Sequence, residues 1–350
     1  MSAPFDPSTF DPDAAAPEDS GLFGLPLDQP GAEVVVIGVP FDATASYRKG
    51  AARGPAAILQ ASRQIDLFDL VTGHPYERGI RMIADDPDFA RWNSEASART
   101  ARVHDFEAQG DERERLVREA DELGARVNER VYEHARAVLA AERLPVVVGG
   151  DHSTPFGAIR AAAERFPGLG VLHFDAHADL RVAFEGFEWS HASILHNVLA
   201  HTSVARLVQV GLRDVAGSEV SAIEESGGRI RAVFDHDWGR AKLEGRDLRA
   251  LVRDALAHLP DTIWITFDVD GLDPTLCPRT GTPVPGGLGW HEAMLWLEET
   301  MRAGKRVVGC DLNEVSPGPE WEPGDGDTTD AIVGARLLYR LIGTALATRH

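Results

Sequence analysis

Cysteine is nearly missing from this chain: in 350 residues only Cys277 and Cys310 occur. They form no Cys-x-x-Cys pair, so thiolate-rich structural zinc and dithiol redox chemistry are excluded, and both read as free thiols of a cytosolic protein. Long apolar runs are missing too. None approaches the ~20 residues that span a bilayer, and the opening "MSAPFDPSTFDPDAAAPEDS" has neither the basic region nor the apolar core of a secretion signal. A cytoplasmic protein without membrane contact is the expectation. Bases are scarce: 35 Lys and Arg face 55 Asp and Glu, a formal net charge of −20, and the first 47 residues hold no Lys or Arg. Such a field disfavours nucleic acid and acidic membrane faces as partners and attracts small cations.

What is there is an ordinary globular share of apolar residues, 43%, enough for a sizeable core. Residues 1–32, rich in Pro, Asp, Ala and Gly without periodicity, read as an extended arm, and residues 33–350 as one continuous domain. Short β-branched or apolar runs recur at 34–39, 145–148, 169–174, 206–210, 230–234, 262–267 and 306–312. Continuous apolarity predicts strands buried on both faces. Between them, 245–258, 289–302 and 328–347 carry helical periodicity, and 112–142 predicts a long surface helix covering the sheet. The polar segment 84–111 reads as an excursion, a candidate for a subunit contact. Alternating strand and helix predicts an α/β fold with a parallel sheet.

The strands share an ending. "VVVGGDHS" closes on Asp151 and His152, "VLHFDAHAD" on Asp175, His177 and Asp179, "ITFDVDGLDP" on Asp268, Asp270 and Asp273, and "VVGCDLNEVSP" on Asp311 and Glu314. Ligands of parallel sheets bind at the carboxyl ends of the strands, so four strands deliver acids or histidines to one rim. Alternate residues of an extended segment face one way, which lets Asp175, His177 and Asp179 converge, and likewise Asp268 and Asp270. Gathering the four carboxylates without an interleaved Lys or Arg costs many kcal/mol in repulsion and desolvation. Two divalent cations would neutralise them and leave a water between them easy to ionise. Oxygen-rich sets with imidazoles suit manganese, and also iron, cobalt or nickel.

With "GVPFD" (38–42), "GGDHS" (149–153), "FDAHADLR" (174–181), "FDVDGLDP" (267–274), "GTPVPGGL" (281–288) and "DLNEVSP" (311–317) in order, the chain resembles the arginase and agmatinase family of ureohydrolases over roughly residues 34–347. The resemblance implies a three-layer α/β/α sandwich around a central, mostly parallel sheet. It also implies a two-metal centre, with Mn2+ first and Ni2+ as the alternative, and hydrolysis of a guanidino compound with release of urea. The family's metal ligands fall on His152, Asp175, His177, Asp179, Asp268 and Asp270. Its guanidinium-binding Glu falls on Glu314 and its proton-shuttling His on His191, with Asp179 also able to orient the attacking water. Where agmatinases commonly continue His-Gly-Thr, this chain has His191, Ala192 and Ser193. A homo-oligomer, trimer or hexamer, is implied as well.

Two rivals stand beside this. A single-zinc deacetylase of the same architecture has no need of so many ligands, and a non-catalytic subunit would be signalled by a lost ligand. None is lost. The loop "RVAFEGFEWSHAS" (181–193) joins a ligand strand to His191 and is expected to line the entrance with Phe184, Phe187, Trp189, Glu185 and Glu188, with Arg181 as its one base. That predicts a small cation, agmatine or guanidine, over arginine. A guanidino acid or formimidoylglutamate is the alternative, because Arg48 and Lys49 in "SYRKGAARGP" (46–55) could pair with a carboxylate, and Tyr47 or Arg48 could touch substrate. His173, inside its strand, is expected to make a buried hydrogen bond rather than bind metal.

Overall fold

Apolar runs unbroken by polar residues are stable only as strands covered on both faces. The computed structural model, which describes residues 5–84 and 86–349, builds such a sheet. Its strands are β1 (Val34–Gly38), β2 (Ile80–Met82), β3 (Leu144–Val148), β4 (Gly170–Phe174), β5 (Arg206–Leu212), β6 (Ile230–Phe234), β7 (Thr262–Asp268) and β8 (Arg306–Asn313). They lie in the order β2-β1-β3-β8-β7-β4-β5-β6, with every pairing parallel. The helices are α1 (Gly54–Ser62), α2 (Pro87–His104), α3 (Gly110–Ala140), α4 (Phe156–Arg165), α5 (Ile194–His201), α6 (Gly217–Glu224), α7 (Asp235–Leu243), α8 (Leu248–Leu256), α9 (Trp290–Arg302) and α10 (Thr329–Ala347).

Alternation along each strand sorts the core into two layers. In β3, Val146 and Val148 join one layer and Val147 the other. The first layer is closed by α1, α8, α9 and α10, with Ile58, Leu256, Trp296 and Leu338 inside; the second by α3, α4 and α5, with Val131, Ile159 and Leu195. The molecule is therefore a three-layer α/β/α sandwich. Beneath the carboxyl ends of β4 and β7, the rings of Phe174 and Phe267 stack at 4.6 Å and Trp296 meets Phe174 edge-on, which locks these two strand ends together.

The structure departs from the sequence pattern in places. Edge strand β2 has only three residues, too few for a periodicity signal. Within 84–111 lies α2, capped by the Asp86 side chain, which accepts from Asp88 N–H, and packed on α3 through Phe89, Trp92, Ala96, Thr100 and Val103. Charged residues between those positions mask the stripe, so this stretch is a covering helix rather than a loop. In the N-terminal stretch, Leu22, Phe23 and Leu25 are buried in the first layer, and the Phe23 ring meets Tyr339 at 4.8 Å. Among the described residues, no helix is long and apolar enough to cross a membrane.

Candidate metal centre

The strand order makes β3, β8, β7 and β4 consecutive neighbours in the middle of the sheet. These are the four strands that end on acids and histidines, and their loops leave the same rim. The turn after β3 is drawn close to the one after β1: a Cβ on Gly150 would lie 2.0 Å from the Phe41 carbonyl oxygen, so only glycine fits there.

Two groups of ligand atoms gather on this rim, His152, His173, Asp175 and Asp179 in one and Asp175, His177 and Asp270 in the other, each with its atoms within 4.8 Å of one another. His152 Nδ1 stands 3.0 Å from Asp175 Oδ2, 3.3 Å from Asp179 Oδ2 and 3.4 Å from Asp268 Oδ2. His177 Nδ1 lies 3.1 Å from Asp270 Oδ2 and 3.3 Å from Asp175 Oδ1. Asp175 turns one oxygen to each group. The six residues on which the family resemblance places the metal ligands thus lie together, five of them buried and His177 partly exposed.

The hydrogen bonds around the histidines assign their tautomers. Thr266 Oγ1 donates to Asp311 Oδ1 at 2.7 Å and therefore accepts from His152 Nε2–H at 2.9 Å. His152 Nδ1 faces the carboxylates, which against burial raise its pKa well above the usual value, so this nitrogen can serve a metal once its proton leaves. At His173 the result is the opposite. The Gln209 amide donates to Ala178 O and to His173 Nδ1, so His173 Nε2–H donates to Asp175 Oδ2 at 2.9 Å. His173 props a carboxylate and offers no lone pair to a metal, in line with the expected buried hydrogen bond.

Three strand-end acids do not face the centre. Asp311 lies under it, holding Thr266, Trp264 Nε1–H and Asn313; Asp151 accepts from Thr44 and Ser153; Asp273 caps Thr275 at the surface. Thr266 and Thr44 were the residues missed. Thr266 sits two before Asp268, hence on the same face, and opposite Asp311 in register, a pairing invisible without the sheet.

Burial, and after it the Asp175 charge, raises Asp179 to about 7. Burial and neighbouring acids likewise push Asp268 and Glu314 well above the carboxylate range. Burial works against a charged His177, yet Asp270 and Asp175 push it up to about 12. Carboxylate oxygens and imidazole nitrogens converge here, and among the described residues the ion pairs of Asp175, Asp179, Asp268 and Asp270 are with histidines alone. This donor set fits divalent cations of the manganese-to-nickel kind, which take the place of protons as counter-charge. Asp179 and Glu314 also hold positive φ, 54° and 62°, at a cost of about 1–3 kcal/mol each for non-glycine residues.

Glu314 Oε1 accepts from His152 N–H at 3.1 Å, while Oε2 is buried without a hydrogen-bond partner among the described residues. A Cβ on Gly281 would come within 3.2 Å of that oxygen, so the glycine keeps the space beside it small but open. His191 joins neither ligand group. Thr44 Oγ1 donates to Asp151 Oδ2 at 2.7 Å and accepts from His191 N–H at 3.1 Å, so the 3.3 Å contact with Nδ1 is a further donation from Nδ1–H. That leaves Nε2 as the free acceptor. Burial, then the His177 and His152 charges, holds His191 down to about 3, a neutral imidazole.

His177, Asp179 and His191 line a cavity of about 170 Å³ with Arg181, Phe184 and Thr282. Ser46, Asp214 and Glu219 complete its acidic and polar side. Only part of the 181–193 loop reaches it. Glu185 and Gly186 turn at φ 53° and 96° and fold Phe187 back onto Phe184, so Phe187 is buried against His104, and Trp189, half-buried, packs against Phe156. Glu185 pairs with His104, and Asp121 on α3 accepts from Glu188 N–H and Trp189 N–H. The expected aromatic entrance is thus reduced to Phe184. Tyr47 is exposed, Arg48 donates to Pro278 O, and Lys49 Nζ donates to the carbonyls of Asp42 and Ala43.

Comparison with known proteins agrees with this geometry. An N(1)-aminopropylagmatine ureohydrolase of Thermus thermophilus is 34% identical over 313 residues, 89% of this chain and 90% of that one. A guanidinobutyrase of Pseudomonas aeruginosa is 29% identical, over 91% of this chain and 88% of its own. The crystal structure of proclavaminate amidino hydrolase from Streptomyces clavuligerus superposes with a TM-score of 0.71 at 23% identity, covering 96% of this chain and all of that one, 100%. The sequence profile described as Arginase family matches residues 32–343. With a His/Asp centre on the rim of a parallel sheet and a family match along nearly its whole length, this chain belongs to the arginase family and is a metal-dependent amidinohydrolase.

Proposed function

We propose that the chain hydrolyses the guanidinium of a small cationic compound without a carboxylate, agmatine or guanidine itself, and releases urea. The observation that carries this is the cavity lining. Asp214 and Glu219 face it beside His177 and His191, while its one Arg or Lys among the described residues, Arg181, lies over the Phe184 ring at 4.9 Å and 3.8 Å from Glu219. Arg48 and Lys49, which could have paired with an acid substrate, are turned to backbone carbonyls. A cation finds opposite charge here and a carboxylate does not.

In this proposal His152, Asp175, His177, Asp179, Asp268 and Asp270 hold two divalent ions, which when bound supply charge neutralisation and an acidified water as nucleophile. Glu314 binds and orients the guanidinium through Oε2, the buried oxygen left without a partner, while the His152 N–H fixes its other oxygen. The buried carboxylate gains a counter-ion and the planar cation a fixed orientation. His191 Nε2 takes up a proton and passes it to the leaving nitrogen, with Nδ1 held by Thr44. Phe184 shields that side from bulk water.

Urea release measured side by side on agmatine, guanidine, N(1)-aminopropylagmatine, arginine and 4-guanidinobutyrate tests the substrate. A cation without a carboxylate is expected to lead. An acid substrate ahead by tenfold, about 1.4 kcal/mol in transition-state binding, overturns it. Metal content is a separate readout: reconstituted protein is expected to carry near two ions, Asp268→Asn fewer, and manganese to activate ahead of nickel. Because imidazole and carboxylate ligands bind deprotonated, loading releases protons, and the apparent affinity falls as pH is lowered. A single ion at full activity, or affinity indifferent to pH, contradicts the assignment. A homo-oligomeric state belongs to the same proposal and is read by light scattering.

A further inference from the structure

At the amino ends of the strands, on the rim opposite the metal centre, lies a second and larger cavity of about 540 Å³. It is lined by the turn before β1, the ends of α3 and α4, the start of β8 and Arg349. In a chain of net charge −20, five arginines line it, Arg78, Arg143, Arg165, Arg306 and Arg349, against two acids, Glu33 and Glu142.

Few of these charges are neutralised. Glu33 pairs with Arg78 at two points, 2.9 and 2.7 Å. Arg143 donates to Pro30 O and Arg349 to Glu142 O, both uncharged acceptors. Arg165 and Arg306 lie against Phe166, 5.4 and 5.3 Å from its centroid, and make no ion pair among the described residues. Arg349 Nη1 is buried without a hydrogen-bond partner among the described residues. Burial first, with the charges of Arg306 and Arg78 after it, lowers the Arg349 pKa in spite of Glu33 and Glu142. Arg165 and Arg306 are exposed and hydrated, so the unmet demand sits at Arg349, whose partly buried guanidinium gains from an anion that the exposed arginines can also reach.

We infer that this cavity is a binding site for a small organic anion carrying two phosphates. Guanidinium forks match phosphate oxygens two at a time. Each phosphate brings about −1.5 to −2 charges at neutral pH, so two offset the excess of arginines over glutamates where one leaves part of it. The volume falls within the range of small-ligand sites, roughly 300–1,000 Å³. The overall negative field keeps long polyanions away, but an ion this small is held inside a local positive pocket.

The test is calorimetric titration of the full, metal-loaded protein with ADP and with fructose 1,6-bisphosphate, each beside its parent, adenosine or fructose. Metal analysis before and after shows that the probe has not stripped the His/Asp centre. One or both phosphorylated probes are expected to bind one per chain at submillimolar concentration, and the parents not to bind. Which probe is tighter tells a nucleotide from a sugar phosphate. Arg165→Gln with Arg306→Gln changes two exposed side chains without internal ion pairs, so the fold survives, and it is expected to weaken binding at least tenfold. Arg349→Gln alone should weaken it several-fold. Failure of both probes to bind, or binding that the double variant leaves unchanged, overturns the inference.

Discussion

Asp175→Asn is expected to empty both metal positions and to lower turnover by ~10⁴ or more, the scale on which loss of an activated nucleophile acts. The reason lies in its two oxygens. Oδ2 faces His152 Nδ1 at 3.0 Å and accepts from His173 Nε2–H at 2.9 Å, while Oδ1 accepts from His177 N–H at 2.6 Å and faces His177 Nδ1. It is the one residue common to both ligand groups. The amide is isosteric but replaces an acceptor with a donor, so it meets either the proton of His173 or a cation with the wrong charge. Elemental analysis on the purified variant, with circular dichroism to show retained secondary structure, reads the outcome. Two ions retained at wild-type rate would remove Asp175 from the centre.

The second large effect concerns proton transfer. His191→Ala is expected to keep both ions and lose kcat by ~10²–10⁴, because the side chain lines the cavity yet belongs to neither ligand group. Thr44→Val should reproduce part of that loss while leaving metal content intact, since the Thr44 hydroxyl accepts from both the backbone N–H and Nδ1–H of His191. Restoring the rate of His191→Ala with added imidazole would mark the missing group as a proton carrier. A fall in metal content instead makes His191 a ligand and leaves the proton transfer without an owner.

The strand endings could be read from the chain because the strand period is two: Asp175, His177 and Asp179 share a face before any fold is known. The layers were legible for the same reason, as continuous apolarity in "VVVIG" or "TIWITF" leaves no solvent face. What could not be read was register. That Thr266 lies beside Asp311, and so aims His152, depends on a pairing between β7 and β8 that their sequences do not state. Asp311 looked like a rim acid because it follows an apolar run, but the strand continues to Asn313 and leaves it one step below the edge. The loop 181–193 was misjudged through its turn. Positive φ at Glu185 sends Phe187 inward, and an exposed aromatic in sequence became a buried one in space. In α2 the apolar spacing was present, diluted by charges.

In the middle of the sheet, Val146 of β3 pairs with Cys310 of β8, and Leu172 of β4 with Ile265 of β7, partners far apart along the chain. Such a fold has few local shortcuts: most of the chain must be made and collapsed before these neighbours meet, which places it among the slower-folding topologies. A divalent ion then finds its ligands only in the finished sheet and finds little in the unfolded chain. It acts as a latch on completed folding, worth about 2.7 kcal/mol when free metal stands a hundredfold above its dissociation constant. The thermal midpoint of the protein should therefore track free metal concentration, and a metal-starved cell would lose the molecule itself as well as its activity.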